Sequence, residues 1–252
     1  MNLTISVIMP SLNEEPNIKR AVENVVNAFE TLNISGEIIV VNDGSKDRTE
    51  EIVKEMRKKN NYLRLISHSE QKGIGASFWD GVLNSKEDVV TMIPGDNECD
   101  AYEILRYFPI MQEVDIVIPY VYNKEIRSWS RRMISKLYKG IINLSFAMLL
   151  NYQNGTVLYR KYVLDDLTLN NPGFFYQTEL LIKSIKMGYL YAEVPYALKQ
   201  RIGGKSKAIN LKSLLRVVLG YFTTVVSIYF LQKDVKSVNP NSVTAKRKNE
   251  LK

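Results

Sequence analysis

Three acidic side chains, Asp96, Glu98 and Asp100, fall within five positions directly after an apolar run that ends at Pro94-Gly95. Like charges so placed repel, and each carboxylate resists desolvation. The cluster therefore needs a partner, open solvent, or a bound cation. Three more apolar runs break off in polar residues of a related kind: "PSLNEE" (10–15), "NDGSKD" (42–47) and "QKGIGAS" (71–77). Taken singly, each is an ordinary turn or helix entry. Taken together at one end of one sheet, they outline a crevice suited to a nucleotide.

The elements that must hold these loops alternate strand and helix. Strands are predicted at 3–10, 36–43, 62–68, 88–94 and 114–120, with helices at 16–32, 47–60 and 74–85 between them. The strands read as nearly continuous apolar runs, as expected of a sheet buried on both faces. Strand–helix alternation predicts a mainly parallel sheet with right-handed crossovers and ligands at the C-terminal strand ends. Farther on, the pattern gives a long helix at 129–151, a strand at 155–161, a helix at 176–188, a strand at 189–195, a basic loop at 200–207, and a strongly apolar helix at 211–231.

Length and composition set outer bounds. The chain has 252 residues, enough for one large α/β domain with an appendage, and 45% apolar residues, enough for a sizeable core. One cysteine, Cys99, excludes an internal disulfide and fits a reducing compartment. The first ten residues read as a strand and not as a signal peptide. The net charge of +7 is uneven. From Arg201 onward eleven Lys and Arg face only Asp234 and Glu250, a surplus of nine, so the first 200 residues carry −2. A basic C-terminus argues for an anionic surface nearby. No helix-turn-helix, zinc-finger or RNP-like signature is present, so nucleic acid is not the expected partner.

The ordered series "PSLNEEPNI", "EIIVVNDGSKDRT", "KGIGASFWDG", "GDNE", "WSRRMIS", "ELLIKSIKMGYLYAEVP" and "RIGGKSK" resembles glycosyltransferase family 2, and within it the polyprenyl-phosphate sugar synthases of the dolichyl-phosphate mannose synthase kind. The resemblance spans about residues 4–210. It implies a GT-A, Rossmann-like fold, a nucleotide-sugar donor carrying UDP or GDP, a divalent Mg²⁺ or Mn²⁺, and an inverting transfer. The family carries an Asp-x-Asp motif after the fourth strand. Here Pro94 stands at its first Asp and Asp96 at its second, so the resemblance assigns the metal to Asp96 and Glu98, with Asp100 as a helix cap. The physical need is to neutralise a leaving diphosphate, and hard carboxylate oxygens serve it. The resemblance also places Pro10, Ser11, Asn13, Glu14, Asp43, Lys72 and Gly73 around the nucleotide, with Asp43 accepting from the base or ribose. Arg131, Arg132, Arg201, Lys205 and Lys207 are its acceptor-phosphate cradle, Arg being the best fork for phosphate oxygens. Asp96, Arg132 and Arg201 carry the chemistry in this reading. Glu179 matches a family Glu and is open between a substrate contact and an ion pair with the basic loop.

The expected organisation is a glycosyltransferase domain over 1–210, an apolar helix over 211–232 and a basic, disordered tail over 233–252. Val217–Leu231 is 15 residues without a charge, about 22 Å of helix against a hydrocarbon core of roughly 30 Å. Ser213, Arg216, Gly220, Thr223 and Ser227 mark a more polar face. An interfacial helix is therefore expected, with a membrane span or a core or dimer helix as the rivals, and the resemblance implies the cytoplasmic side of the membrane. Self-association is left open. The favoured acceptor is a polyprenyl phosphate, already anionic and needing no general base. A glycan or glycolipid hydroxyl would need one, and Asp100 is the ready candidate. A catalytically weakened sugar-nucleotide-binding protein is the third reading, motivated by the altered Asp-x-Asp. His68 is expected to be structural or exposed, and Trp79 and Trp129 to be packing residues, with a membrane interface as the other place for Trp129.

Overall fold

The structure is a computed structural model, and it describes residues 3–153, 155–197, 211–231 and 237–251. Seven strands form one sheet in the order β3-β2-β1-β4-β6-β5-β7. The strands are β1 (Ile5–Ser11), β2 (Gly36–Asn42), β3 (Leu63–Ser67), β4 (Val89–Met92), β5 (Ile116–Val121), β6 (Leu158–Arg160) and β7 (Tyr191–Tyr196). β1 runs parallel to β2 and β4, and β2 parallel to β3. The predicted strand at 155–161 is shortened to β6, which lies antiparallel to both β4 and β5 and makes the sheet mixed. Two antiparallel steps return β5 to the direction of β4, and β7 is parallel to β5. The C-terminal ends of β1, β2, β3, β4, β5 and β7 therefore share one edge of the fold.

Both faces are covered, which explains the unbroken apolar strands. On one face Ile5, Val7 and Met9 meet Val22 and Val25 of α1 (Ile18–Leu32), Val53 of α2 (Thr49–Arg57) and Ile104 of α4 (Ala101–Leu105). On the other, Ile8 meets Phe78 and Val82 of α3 (Ile74–Asn84), and the same cluster holds Phe146 of α5 (Trp129–Phe146) and Leu180 of α7 (Tyr176–Lys186). Between β6 and α7, α6 (Lys161–Asp165) is one short turn.

The helix predicted to run to Asn151 stops at Phe146. Ala147 takes a left-handed conformation, and the Asn143 amide brackets Leu150, donating to its carbonyl at 2.9 Å and accepting from its N–H at 3.3 Å. This turns Met148 and Leu150 into the core. α5 leaves Trp129, Met133, Ile134, Leu137, Ile141 and Leu144 exposed, so Trp129 is not the packing residue expected, whereas Trp79 does pack on the core.

The C-terminal region departs most from expectation. The apolar helix is present as α8 (Leu211–Val226), continued by a π-helical turn over Ser227–Leu231. Beyond it, where a disordered tail is predicted, the chain forms α9 (Val243–Glu250). Ser242 accepts from Ala245 N at 3.0 Å as its N-cap, and Thr244 is fully buried. The polar composition of this segment misleads because the buried Thr244 hydroxyl and the Val243 and Thr244 N–H groups find a partner on the domain, Asp115.

Candidate active site

The four polar loops converge as the sequence suggests, and the hydrogen bonds show what each residue does. Asn13 adopts a positive φ of 54°. Its N–H donates to Ser45 Oγ at 2.9 Å, and its side-chain oxygen accepts from Lys46 N at 2.8 Å. Glu14 N donates to Thr49 Oγ1 and Glu15 N to Asp47 Oδ2. Asn13 to Glu15 thus staple the β1 loop to the β2 loop, while the Glu14 carbonyl accepts from Ile18 N at 2.8 Å where α1 begins. Pro10 and Ser11 serve as strand-end connectors. Pro10 O accepts from Gly95 N at 3.1 Å, and Ser11 O accepts from Asp43 N at 2.9 Å. The first of these bonds draws the Asp96 loop against the β1 loop.

Asp43 is the hub. Its carboxylate is buried, and it accepts from Lys72 N (2.8 Å) and Gly73 N (2.9 Å) and faces His68 Nδ1 at 2.9 Å. Burial pushes the Asp43 carboxyl up, but these three hydrogen bonds together outweigh it and hold the group below the usual carboxylate range. Gly73 sits at φ 103°, a conformation that favours glycine. His68 is structural, as one of the two expectations held. Its second nitrogen faces Asp80 Oδ2 at 2.9 Å, and the Lys72 ammonium reaches the same oxygen at 3.3 Å. Asp80, mid-helix in α3, carries no local sequence signal, because Lys72 reaches it from the loop before that helix.

Because Asp43 gathers its donors in the ionised form, the stabilisation it gives is present above its unfolded pKa and is lost as pH falls through its lowered folded value. With Asp43 receiving the base or ribose, as the family resemblance implies, Asp43→Asn should weaken nucleotide binding by roughly tenfold or more, the worth of one charge-assisted hydrogen bond. Titration calorimetry with UDP and GDP checks this, and unchanged affinity for both would remove Asp43 from the pocket.

Asp96 stands after β4, half-buried, and its Oδ1 accepts from Glu98 N at 3.1 Å across Asn97, which has φ 55°. Glu98 is exposed. Asp100 accepts from Tyr102 N at 3.1 Å and is the N-cap of α4. Among the described residues no three His, Cys, Asp or Glu side chains come together to cage a metal. A one- or two-carboxylate site is nevertheless what Mg²⁺ or Mn²⁺ uses when substrate phosphates and waters complete its shell. Asp96 with Glu98 fits that pattern, and a closed structural site is not what this loop offers.

Arg131 and Arg132 are exposed on the first turn of α5. That helix follows β5, so both leave the same sheet edge as Asp96. Arg201, Lys205 and Lys207 lie outside the described residues. Glu179 is fully buried and pairs with Lys183 of its own helix at 2.8 Å, whereas the basic loop it was also matched with lies outside the described residues. It also accepts from Asn170 N and Asn171 N, both at 3.0 Å, and from the Asn171 side chain. Pro172 O in turn accepts from Gly75 N at 3.0 Å. Glu179 thus shapes the loop that closes over the Gly73–Gly75 entry to α3.

A mostly parallel mixed sheet flanked by helices, with polar loops gathered at its C-terminal strand ends, is a GT-A-like architecture. The chain belongs to glycosyl transferase family 2, whose family model matches residues 6–168. It is 27% identical over 213 residues to a dolichol-phosphate mannosyltransferase of Pyrococcus furiosus, covering 81% of this chain and 59% of that protein. It is 33% identical over 97 residues to a dolichyl-phosphate beta-glucosyltransferase (ALG5D) of Trichomonas vaginalis, covering 36% and 30% respectively. The chain thus spans well under two thirds of the length of these relatives. In fold it is similar to glucosyl-3-phosphoglycerate synthase of Mycobacterium tuberculosis in complex with UDP, with a TM-score of 0.63, 21% identity, and coverage of 89% and 79%. The same synthase with Mn²⁺, UDP and glucosyl-3-phosphoglycerate gives a TM-score of 0.64 at 20% identity, with coverage of 88% and 80%.

Proposed function

We propose that the protein is an inverting glycosyltransferase that moves a sugar from a UDP- or GDP-sugar to a polyprenyl phosphate at the cytoplasmic face of a membrane. The observation that carries this reading is a single loop joining the crevice to an exposed apolar helix. Pro172 O accepts from Gly75 N, and the neighbouring Asn171 Oδ1 accepts from Thr223 of α8 at 3.0 Å. A donor pocket linked to a lipid-facing helix suits an acceptor that has a charged head and an apolar tail. The names of the two curated relatives support the same acceptor class, and the Mn²⁺–UDP complex of the structural neighbour supports the donor and metal classes.

In this reading Asp43, with Lys72 and Gly73 positioned on it, receives the base or ribose, and the Asn13–Glu14 loop lines the pocket. Arg131 and Arg132, together with Arg201, Lys205 and Lys207, hold the acceptor phosphate. An oxygen of that phosphate attacks the anomeric carbon while the bond to the nucleoside diphosphate breaks, inverting the centre. Asp96 and Glu98 would hold Mg²⁺ or Mn²⁺, which would supply positive charge against the leaving diphosphate. No residue need remove a proton, because the acceptor oxygen is already anionic. Asp100, the base that a hydroxyl acceptor would call on, accepts from Tyr102 N as the cap of α4.

The test is a panel of labelled UDP- and GDP-sugars with Mn²⁺ and polyprenyl phosphate. The expected product is lipid-linked and acid-labile. An acid-stable glycan product would move the acceptor to a hydroxyl, and donor binding without turnover would make the protein a sugar-nucleotide binder. Arg132→Ala should raise the acceptor KM roughly tenfold or more while donor binding is unchanged.

A further inference from the structure

We infer that α8 lies in the plane of one anionic membrane leaflet, with both of its ends on the catalytic domain's side, and that α9 is the latch that keeps it there. The inference rests on the membrane part of the reading above, and it replaces the open choice between interfacial helix and span with a definite topology.

The first observation is the outward face of α8. Gly220, Thr224, Ser227 and Ile228 are buried toward the domain, and Val217, Tyr221 and Val225 pack on the core beside them. Leu215, Val218, Leu219, Phe222, Val226 and Phe230 are exposed. The outward face is thus largely apolar, interrupted by Arg216 and Thr223. Burial drives apolar side chains away from water, so an outward apolar face on a helix this long calls for a non-aqueous neighbour.

The second observation is that α8 lies along the domain and does not project from it. A Cβ at Gly220 would sit 2.9 Å from Phe175 Cβ, so the helix packs closely against the start of α7. Ser145 Oγ is 2.8 Å from Tyr221 OH, Tyr229 OH donates to Ser145 O at 2.7 Å, and the Lys186 ammonium at the end of α7 lies over the Tyr229 ring. The Leu214–Leu231 stretch has the length and composition to cross a bilayer, but its 18 residues make about 27 Å of helix. Tilting it through the hydrocarbon would drag in α7 with Lys183 and Lys186.

The third observation fixes the far end. Val238 packs on the core, and Asn239 N donates to Tyr189 OH at 3.0 Å. Asp115, fully buried at the start of β5, accepts from Val243 N (3.0 Å), Thr244 N (3.1 Å), the Thr244 hydroxyl and Tyr162 OH. Thr244 Oγ1 also accepts from Leu190 N at 2.7 Å, and Arg247 pairs with Glu113. Burial and the Asp115 carboxylate push the Tyr162 hydroxyl well above its ordinary range, so it remains a donor in this latch. A helix that crossed the bilayer would carry residues 237–251 to the opposite side and break all of these bonds. Arg216 on α8, with Arg131, Arg132 and Lys136 on α5, is exposed beside the apolar residues and selects an acidic leaflet.

The test adds full-length Cys99→Ser/Leu251→Cys to preformed vesicles of equal parts phosphatidylcholine and phosphatidylglycerol. Leu251 is 89% exposed, so a cysteine there is open to reagent. Vesicle-bound protein should react with a membrane-impermeant maleimide equally with and without detergent. Labelling that appears only after detergent overturns the inference, because the C-terminus would then have crossed. Leu219→Glu/Phe222→Glu, both outward-facing, should keep the melting temperature and lower vesicle binding by roughly tenfold or more. Undiminished binding, absence of binding by the parent protein, or equal binding to phosphatidylcholine alone each overturns the seating described. Sugar transfer is assayed separately in detergent. Loss of transfer with correct vesicle topology would refute the proposed reaction and leave the topology standing.

Discussion

Asp96→Asn should lower turnover by roughly two to three orders of magnitude, the scale on which a single preorganised electrostatic contact to a leaving group acts. The substitution is chosen for what it preserves. An asparagine oxygen can still accept from Glu98 N, the bond that Asp96 Oδ1 makes at 3.1 Å, so the turn through Asn97 survives. What is lost is the charge. The expected signature is a fall in kcat that added Mn²⁺ does not restore, with a melting temperature close to the parent's. Glu98→Gln should cost less, since Glu98 is exposed and waters can take its place in the metal's shell. Wild-type turnover in Asp96→Asn at saturating Mn²⁺ would take the metal away from this loop.

The second large effect is on stability. Glu179 and Lys183 form an ion pair in which both side chains are fully buried, and Lys183 also donates to Thr168 O at 2.8 Å. Removing one partner of such a pair strands the other charge in a medium of low polarisability. Glu179→Ala should therefore cost about 3–5 kcal/mol, or roughly 10 °C in melting temperature for a domain of this size. It should also free Asn170 and Asn171 and so loosen the Pro172 contact to Gly75, raising the donor KM in whatever protein remains folded. Glu179→Gln/Lys183→Met, which removes both charges while roughly keeping volume, should recover most of the stability. Thermal denaturation of both variants decides this. A loss of only a few degrees in Glu179→Ala would mean that the pair is not the anchor of the 168–173 loop.

The first five strands were legible because each is an apolar run closed by turn residues, and the gathering of the polar loops was legible because four such closures had to fall on one edge. Asp43 does meet Lys72 and Gly73, through their backbone N–H groups. What the sequence did not show is how much of the pocket's polarity is spent internally. Asn13 is a staple between loops, because its left-handed backbone aims its N–H at Ser45. Glu179 looked like a possible partner of the basic loop and is paired one helical turn away, a contact that any Glu–Lys at that spacing can make but few bury. β6 was read longer than it is, since a three-residue antiparallel insertion carries almost no periodic signal. The tail was misread because Ser242, Thr244 and Arg247 belong to a polar stretch whose partners, Asp115 and Glu113, lie more than 120 residues earlier. No local rule reaches that far.

The central claim is tested most directly by a crystal of the protein with Mn²⁺ and the nucleoside diphosphate it binds, read by anomalous scattering at the manganese edge. One manganese peak is expected after β4, in direct contact with the Asp96 carboxylate and both phosphates, with the base near Asp43. A peak held by other residues, with Asp96 turned into solvent and the diphosphate elsewhere, would contradict the account.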